Sequence, residues 1–360
     1  MNSTHGGNIW PLLEKGIDPS HLLDFSVDLN PLGPPAGWQA VLREGLEEAA
    51  LYPDPVYRDL RRALAEMEGV SPSCILPGNG TAELIHLITR RVKPARAIAA
   101  VPTFSEYERA VRADGGQWVP SFLREEEGFL PGPPEWAGQI GAQILFLCNP
   151  NNPTGRAWPQ ERLMEWLETS HRQGMMAVVD EAYIDFLEEP RKVSTVRWLS
   201  RFPRLIVLRS MTKFFAVPGL RLGFLAASEE IVSGLAEIQP PWPVNGPAAL
   251  VGRWLAGQRD YLERSRQAMA VFRKDLSARL GALPGVVCAP SEANFILCRL
   301  KDRMESTQVL GAALAERGIL VRLCDDFLGL EPGRFFRVAV RTPEENGRLL
   351  NALRGVLHAG

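Results

Sequence analysis

The sequence has no excess of charge of either sign and no long apolar run, and each absence excludes a class of function. Forty basic residues balance forty-two acidic ones, leaving a formal net charge of -2, so no overall field favours nucleic acid or an anionic membrane. No stretch approaches the ~18 apolar residues of a membrane span, and residues 1–8 lack a basic segment leading into an apolar one. We expect a soluble cytoplasmic protein without nucleic-acid or membrane partners, in which any anionic ligand is bound locally.

Cysteine and histidine are also scarce. The five cysteines lie at positions 74, 148, 288, 298 and 324, show no CxxC pairing and are odd in number, which excludes a complete disulfide framework. The five histidines show no HExxH or comparable spacing. We therefore expect buried, reduced thiols and no metal centre.

The order of apolar and amphipathic segments predicts an α/β fold. A length of 360 residues suggests roughly two domains. From about residue 73 to 227, short apolar runs alternate with helix-like segments, as in repeated βα units around a mainly parallel sheet. The expected strands are 95–101, 142–148, 175–179, 205–208 and 222–227, and the expected helices include 81–92, 107–114 and 159–173. We assign a large domain to residues 57–257.

The flanking regions differ in composition. Residues 259–281 read as one long amphipathic helix, and the rest of the chain alternates strands (286–288, 293–300, 319–323, 335–340) with helices (306–317, 344–357). We interpret residues 258–360 as a smaller α+β domain. Residues 1–56, rich in proline and glycine, are expected to form an extended arm that packs with the small domain.

Two glycine-rich or asparagine-rich segments follow predicted strands, where open α/β sheets bind ligands. In LPGNGTAELI, residues 76–85, a glycine turn enters a helix whose free N–H groups and dipole suit a phosphate, although such a turn alone is more often only a turn. In CNPNNPTGR, residues 148–156, a cluster of turn-forming residues would present the Asn152 amide to a cleft. A purely structural loop is the alternative there.

Two further segments place a carboxylate and an amine after strands. In VVDEAYIDF, residues 178–186, Asp180 would need a cation or strong donor if it is buried, and a structural ion pair is the alternative. In LRSMTKFFAVPGLRLGF, residues 208–224, Lys213 lies among apolar residues, which suits imine chemistry. Ser210 and Arg221 flank it as phosphate donors, and the apolar neighbours argue against an ordinary solvated lysine.

Together these segments resemble the aspartate-aminotransferase superfamily, fold type I of the pyridoxal-phosphate enzymes, over nearly the whole chain. The resemblance implies pyridoxal 5'-phosphate as cofactor, with Lys213 as its Schiff-base lysine and Asp180 as the carboxylate on its pyridine nitrogen. It also implies that Asn152 and Tyr183 hydrogen-bond the phenolic oxygen and that Phe104 stacks on the ring.

The same resemblance supplies the remaining cofactor contacts. Gly80, Thr81, Ser210 and Arg221 would bind the cofactor phosphate. Tyr52, in LYPDP, matches a tyrosine that reaches the phosphate of the neighbouring subunit in this superfamily. A homodimer with shared active sites is therefore implied.

Within the superfamily, HGGN (residues 5–8) and LLDFSVDLNPLGPP (22–35) resemble the threonine-phosphate decarboxylases of the cobalamin pathway. The resemblance implies an amino acid phosphate as substrate, held by Arg322 and Arg337 and closed in by His5 and Gly6. Histidinol-phosphate aminotransferases share the core pattern, including YPDP and NPNNPTG, but typically not HGGN. Decarboxylation of L-threonine O-3-phosphate is expected, with a decarboxylase preferring serine phosphate or an aminotransferase of histidinol phosphate as alternatives.

Two positions depart from the decarboxylase pattern. The resemblance implies that Asn152 and a second asparagine contact the substrate, but Asp28 stands at the position of that second asparagine. Leu323 replaces the aspartate that follows Arg322. A carboxylate facing an anionic substrate repels it unless the carboxylate is protonated or turned away. The preference for one amino acid phosphate therefore stays open at the level of sequence.

Overall fold

The computed structural model describes residues 6–14, 16, 18–134, 141–301 and 305–357. The strands of this part are β1 (Leu23–Asp24), β2 (Ile75–Gly78), β3 (Arg96–Val101), β4 (Gln117–Phe122), β5 (Ile144–Cys148), β6 (Met176–Asp180), β7 (Leu205–Ser210), β8 (Gly223–Ala227), β9 (Val286–Cys288), β10 (Phe295–Leu300), β11 (Ile319–Leu320), β12 (Arg322–Leu323) and β13 (Phe335–Ala339). The helices are α1 (Trp10–Leu13), α2 (Trp38–Glu47), α3 (Arg58–Glu68), α4 (Gly80–Val92), α5 (Glu106–Ala113), α6 (Gln160–Arg172), α7 (Pro190–Val193), α8 (Met211–Phe214), α9 (Glu229–Ala236), α10 (Gly246–Ala256), α11 (Arg259–Gly281), α12 (Thr307–Ala315) and α13 (Pro343–Leu357).

A seven-stranded sheet forms the centre of the molecule, in the order β2-β8-β7-β6-β5-β3-β4. The five strands from β7 to β4 are mutually parallel, whereas β8 is antiparallel to both β7 and β2. Both faces are buried: along β7, Leu205 and Val207 join one apolar cluster while Ile206 and Leu208 join the other. Apolar runs without polar alternation are expected for strands covered on both sides.

A second, four-stranded antiparallel sheet has the order β12-β13-β10-β9. The segment predicted as one strand over 319–323 is two short strands. Ile319 pairs with Leu23 in the parallel β1-β11 ladder, and Arg322 pairs with Arg337 in β13. One short segment therefore ties the N-terminal region to this sheet.

Residues 1–56 are less extended than the sequence suggests, because α2 lies within them. Trp38, Val41 and Leu42 pack against the main core at the i, i+3, i+4 spacing of a helix face. Helix α2 packs on α10, and a Cβ added at Gly45 would lie 2.8 Å from the Cα of Pro247. Part of the predicted arm thus contacts α10, which belongs to the region assigned to the large domain.

All five cysteines are free, and the burial expected of them holds for three. Cys148, Cys298 and Cys324 are buried, while Cys74 and Cys288 are half-buried. Among the described residues, no helix is long and apolar enough to cross a membrane.

Candidate active site

The carboxyl ends of β5, β6 and β7 meet beside the start of β8 at one edge of the large sheet. The register places Asp180 level with Cys148 on one side and with Leu208 on the other, and pairs Ser210 with Gly223. Parallel strands direct their carboxyl ends to the same edge, which is where open α/β sheets bind ligands. A cavity of about 430 Å³ opens there.

The cavity gathers most of the residues singled out from the sequence. Those that line it are Gly6, Asp28, Gly80, Thr81, Phe104, Asn152, Asp180, Tyr183, Ser210, Lys213, Arg221, Arg322 and Arg337. Among the described residues, Tyr52 is not brought there. Tyr52 is 79% exposed and stacks on Trp242 with ring centroids 4.4 Å apart, and His5 lies outside the described residues.

One wall of the cavity has the features of a phosphate-binding site. Gly80 begins α4 with a φ of +74°, and a Cβ at this position would lie 2.7 Å from Nη2 of Arg221. The missing side chain therefore lets the guanidinium approach the N-terminus of α4, where backbone N–H groups lack helical acceptors. The hydroxyl of Ser210 shares a 2.8 Å hydrogen bond with that of Thr212. Hydroxyls, a guanidinium and free amides suit a dianionic phosphate.

Asp180 is a buried carboxylate held by two donors. The Tyr107 hydroxyl donates to its Oδ2 at 2.7 Å, and the backbone N–H of Ala182 donates to its Oδ1 at 2.9 Å. Burial raises the pKa of Asp180 above its ordinary value, although these hydrogen bonds and the charge of Lys213 act in the opposite direction. A further cation beside this carboxylate would stabilise its ionised form. A protonated pyridine nitrogen is such a cation.

Lys213 lies in α8, which directly follows β7. The Ser210 side chain caps this short helix by accepting from the backbone N–H of Thr212. The Lys213 side chain is 29% exposed, and its Nζ lies 3.6 Å from Oδ1 of Asp28. The amine therefore stands inside the cavity, on the same side of the sheet as Asp180.

Asp28 is neither protonated nor turned away from the cavity. Its Oδ1 lies 3.3 Å from Nη2 of Arg337 as well as near Lys213. Burial alone would raise the pKa of Asp28, but Lys213 and Arg337 hold it well below its usual range. The carboxylate is therefore a fixed negative charge between two cations of the site.

The two arginines predicted to hold the substrate face each other across β12 and β13. Like charges directly opposite on neighbouring strands repel, and each arginine has its own acidic partner. Arg337 is paired with Asp28, stacks on Phe295 at 4.6 Å and donates to Oδ1 of Asn152 at 2.5 Å. On the opposite strand the Arg322 guanidinium donates to both carboxylate oxygens of Asp326, at 2.7 and 2.8 Å.

Comparison with known proteins decides the family. A family model described as "Aminotransferase class I and II" matches residues 20–353. The chain belongs to the aminotransferase class I and II family. Its cofactor is pyridoxal 5'-phosphate, and the anion-binding wall and the buried Asp180 fit the phosphate and the ring nitrogen of that group.

Individual relatives include both enzymes expected from the sequence. The chain is 38% identical to threonine-phosphate decarboxylase of Salmonella typhimurium over 364 residues, covering 99% of this chain and 97% of that protein. It is similar to the solved structures of histidinol-phosphate aminotransferase from Clostridium acetobutylicum (TM-score 0.87, 29% identity, 94% and 100% coverage) and of L-threonine-O-3-phosphate decarboxylase from Porphyromonas gingivalis (TM-score 0.83, 26% identity, 93% and 99% coverage). The expected pyridoxal-phosphate fold is thereby confirmed.

Two residues of this aminotransferase-family site did not stand out in the sequence. Tyr107 lies three residues beyond Phe104 and contacts Asp180 from α5. Asp326 lies four residues beyond Arg322 and is its carboxylate partner, whereas Leu323 packs near Gly311 of α12. The sequence shows the distance of each residue from Phe104 or Arg322, but only the fold shows that Tyr107 contacts Asp180 and that Asp326 contacts Arg322.

Proposed function

We propose that the chain decarboxylates L-threonine O-3-phosphate to (R)-1-amino-2-propanol phosphate and CO2, as a step of cobalamin biosynthesis in the cytoplasm. The observation that carries the proposal is the pair Arg322 and Arg337 on neighbouring strands, in one cavity with Lys213 and the N-terminus of α4. A substrate with both a carboxylate and a phosphate needs two cationic partners beyond those of the cofactor phosphate. The identity to threonine-phosphate decarboxylase over the full chain supports this choice.

Each residue of the cavity has a role in this proposal. Gly80, Thr81, Ser210 and Arg221 bind the cofactor phosphate, Phe104 packs on the ring, and Asn152 and Tyr183 hold its phenolic oxygen. When bound, pyridoxal 5'-phosphate accepts the electron pair that is released at the substrate Cα.

Arg337 and Arg322 orient the substrate, and His5 and Gly6 close the site over it. The backbone N–H of Gly7 donates to the Ser26 hydroxyl at 2.9 Å, which holds that segment against the cavity. Lys213 would hold the cofactor aldehyde through Nζ, and as a free amine its Nζ would hold the proton that is delivered to the substrate Cα. Orientation by the arginines decides whether the bond to CO2 or the bond to hydrogen is broken.

Transamination of histidinol phosphate is the second candidate, favoured by the TM-score of 0.87 to such an enzyme. Histidinol phosphate carries no carboxylate, so it would leave one of the two arginines without a substrate anion.

One assay separates the candidates. Threonine phosphate, serine phosphate and histidinol phosphate are each incubated with the cofactor-loaded protein, with and without 2-oxoglutarate. We expect CO2 and an aminoalkyl phosphate from threonine phosphate without the keto acid, and less from serine phosphate. Turnover that strictly requires 2-oxoglutarate would overturn the proposal. A Lys213→Ala variant should be inactive and should lose the visible absorbance band of the loaded protein.

A further inference from the structure

The carboxylate of Asp28 occupies an unusual position, on Arg337, one of the two arginines proposed to bind the substrate carboxylate and phosphate. Its Oδ1 is 3.3 Å from Nη2 of Arg337, and both side chains are only 5% exposed. Its backbone is fixed as well, because the buried Asn294 amide donates to the Asp28 carbonyl at 2.8 Å. The negative charge is therefore held in place on a rigid segment.

A substrate carboxylate on Arg337 would come close to this charge. Nη1 of Arg337 donates to Asn152 and Nη2 already contacts Asp28 and the Ser26 carbonyl. Two acceptors on one guanidinium lie within roughly 6 Å of each other by ordinary hydrogen-bond geometry. At that separation, beside side chains that are only 5% exposed, two negative charges repel appreciably.

The repulsion between Asp28 and the substrate carboxylate changes differently in decarboxylation and in transamination, the two reactions that pyridoxal 5'-phosphate supports here. In decarboxylation the bond between Cα and the carboxyl carbon breaks, its electron pair stays on Cα and enters the cofactor, and the carboxylate leaves as neutral CO2. A proton then replaces the lost carboxyl group on Cα. The charge that Asp28 repels disappears during the step. In transamination the carboxylate keeps its charge, so nothing is relieved.

We infer that Asp28 is a positioning residue that destabilises the bound substrate carboxylate and so favours loss of CO2 over loss of the Cα proton. This inference rests on the proposed decarboxylase function and deepens it. It assigns a role to the residue that departs from the asparagine of the related decarboxylases. Interactions that weaken the bound substrate but not the transition state raise kcat and KM together.

The kinetic test uses Asp28→Asn, which keeps the shape of the side chain and removes the charge. With threonine phosphate we expect kcat and KM both to fall, each by about tenfold or more, because ground-state destabilisation has been removed. A merely structural defect would lower kcat while raising KM. Asp28→Glu, which retains the charge, should restore a KM near that of the wild type.

A binding measurement gives a readout that does not depend on turnover. The probes are 3-phosphoglycerate and 2-hydroxyethyl phosphate, which differ by one carboxylate and lack the amine needed to react. By calorimetry on the loaded protein, Asp28→Asn should bind 3-phosphoglycerate about tenfold more tightly and 2-hydroxyethyl phosphate equally well. The matched control is Glu345→Gln, which removes a carboxylate paired with Arg341 at 2.6 Å outside the residues lining the cavity. It should leave all these constants unchanged.

The outcomes distinguish the inference from the function on which it rests. If the wild type releases no CO2 from any of the three phosphates, the proposed function fails, and the inference fails with it. If the wild type releases CO2 but Asp28→Asn has a raised KM, or an unchanged affinity for 3-phosphoglycerate, the inference alone is overturned.

Discussion

At the scale of single residues, Gly80 is a position in the phosphate-binding wall where an added side chain would disturb Arg221. An alanine there would be strained by the φ of +74°, and its Cβ would meet Arg221 at 2.7 Å. We predict that Gly80→Ala weakens binding of pyridoxal 5'-phosphate by about tenfold or more, since a displaced guanidinium loses a charge-assisted contact. The dissociation constant, followed by absorbance, measures this.

Gly69 offers a matched control for this substitution. It has nearly the same φ, +73°, but a Cβ there meets nothing within 4 Å. Gly69→Ala should therefore carry the same backbone strain, lower stability slightly and leave cofactor affinity unchanged. Equal losses of affinity in the two variants would show that strain, and not the approach of Arg221, explains the effect.

The residue scale also shows what the sequence could predict of the site. The positions of Lys213, Asp180 and Asn152 at one edge of the sheet were predictable, because each lies at the end of a buried strand or within four residues of it. The hydrogen bond from Tyr107 and the charge pair of Asp28 with Arg337 were not, because their partners are 73 and 309 residues away. No local periodicity encodes such pairs.

At the scale of elements, the carboxyl ends of β6 and β7 present polar or charged residues to both sides of the sheet. Asp180 and Ser210 line the cavity, while their neighbours Glu181 and Arg209 enter a buried cluster with Glu68 and Asp185. Burial works to lower the pKa of Arg209, but these three carboxylates raise it above its ordinary value. The cluster anchors the strand ends on which the cofactor residues stand.

Removing Arg209 should therefore destabilise the fold. Arg209→Met leaves buried carboxylates without their cation, which costs about 3–5 kcal/mol. Urea unfolding should show the loss as a lower midpoint. Arg201→Met is the comparison, since Arg201 forms an exposed ion pair with Glu168 and such pairs contribute roughly 0–1 kcal/mol. Similar urea midpoints for Arg209→Met and Arg201→Met would contradict the stabilising role of Arg209 in the buried cluster.

The same cluster predicts a pH dependence. Burial raises the pKa of Glu68 from 4.5 to about 7, despite the opposing charge of Arg209. Because the folded state binds the Glu68 proton more tightly than the unfolded state does, this proton stabilises the fold. Its contribution to the free energy of unfolding is complete below pH 4.5 and is lost as the pH rises through 7. Glu68→Gln cannot titrate, so its stability relative to the wild type should increase between pH 4.5 and 7 and then level off. A stability difference between Glu68→Gln and the wild type that stays constant from pH 4.5 to 7 would refute the raised pKa of Glu68.

Element boundaries show where local signals suffice. Helix α11 was predicted with its observed bounds, because its amphipathic pattern is long and uninterrupted. Strand β4 was missed: Pro120 lies within it, and proline is tolerated there because β4 is the last strand of the sheet order. Helix α2 was hidden by the proline and glycine residues around it.

At the scale of the whole molecule, apolar side chains are exposed around Tyr52, the residue for which the family resemblance implies a contact with the neighbouring subunit. Leu51, Tyr52 and Val56 are 73%, 79% and 44% exposed, and Trp242 beside Tyr52 is 40% exposed. We predict that sedimentation equilibrium gives twice the 39.9 kDa mass of the chain.

Tyr52→Phe should keep that mass but bind the cofactor less tightly, because only the hydroxyl is lost. A monomer with full activity would rule out shared active sites.

The central claim, that this site breaks the bond to the carboxyl group and spares the bond to hydrogen, is tested most directly with threonine phosphate deuterated at Cα. Decarboxylation must leave that deuterium in place, whereas transamination must remove it. Mass spectrometry of the product formed in ordinary water should show an aminopropanol phosphate that retains one deuterium at its amine-bearing carbon. A product from which the deuterium has been lost, together with a keto acid phosphate, would contradict the account.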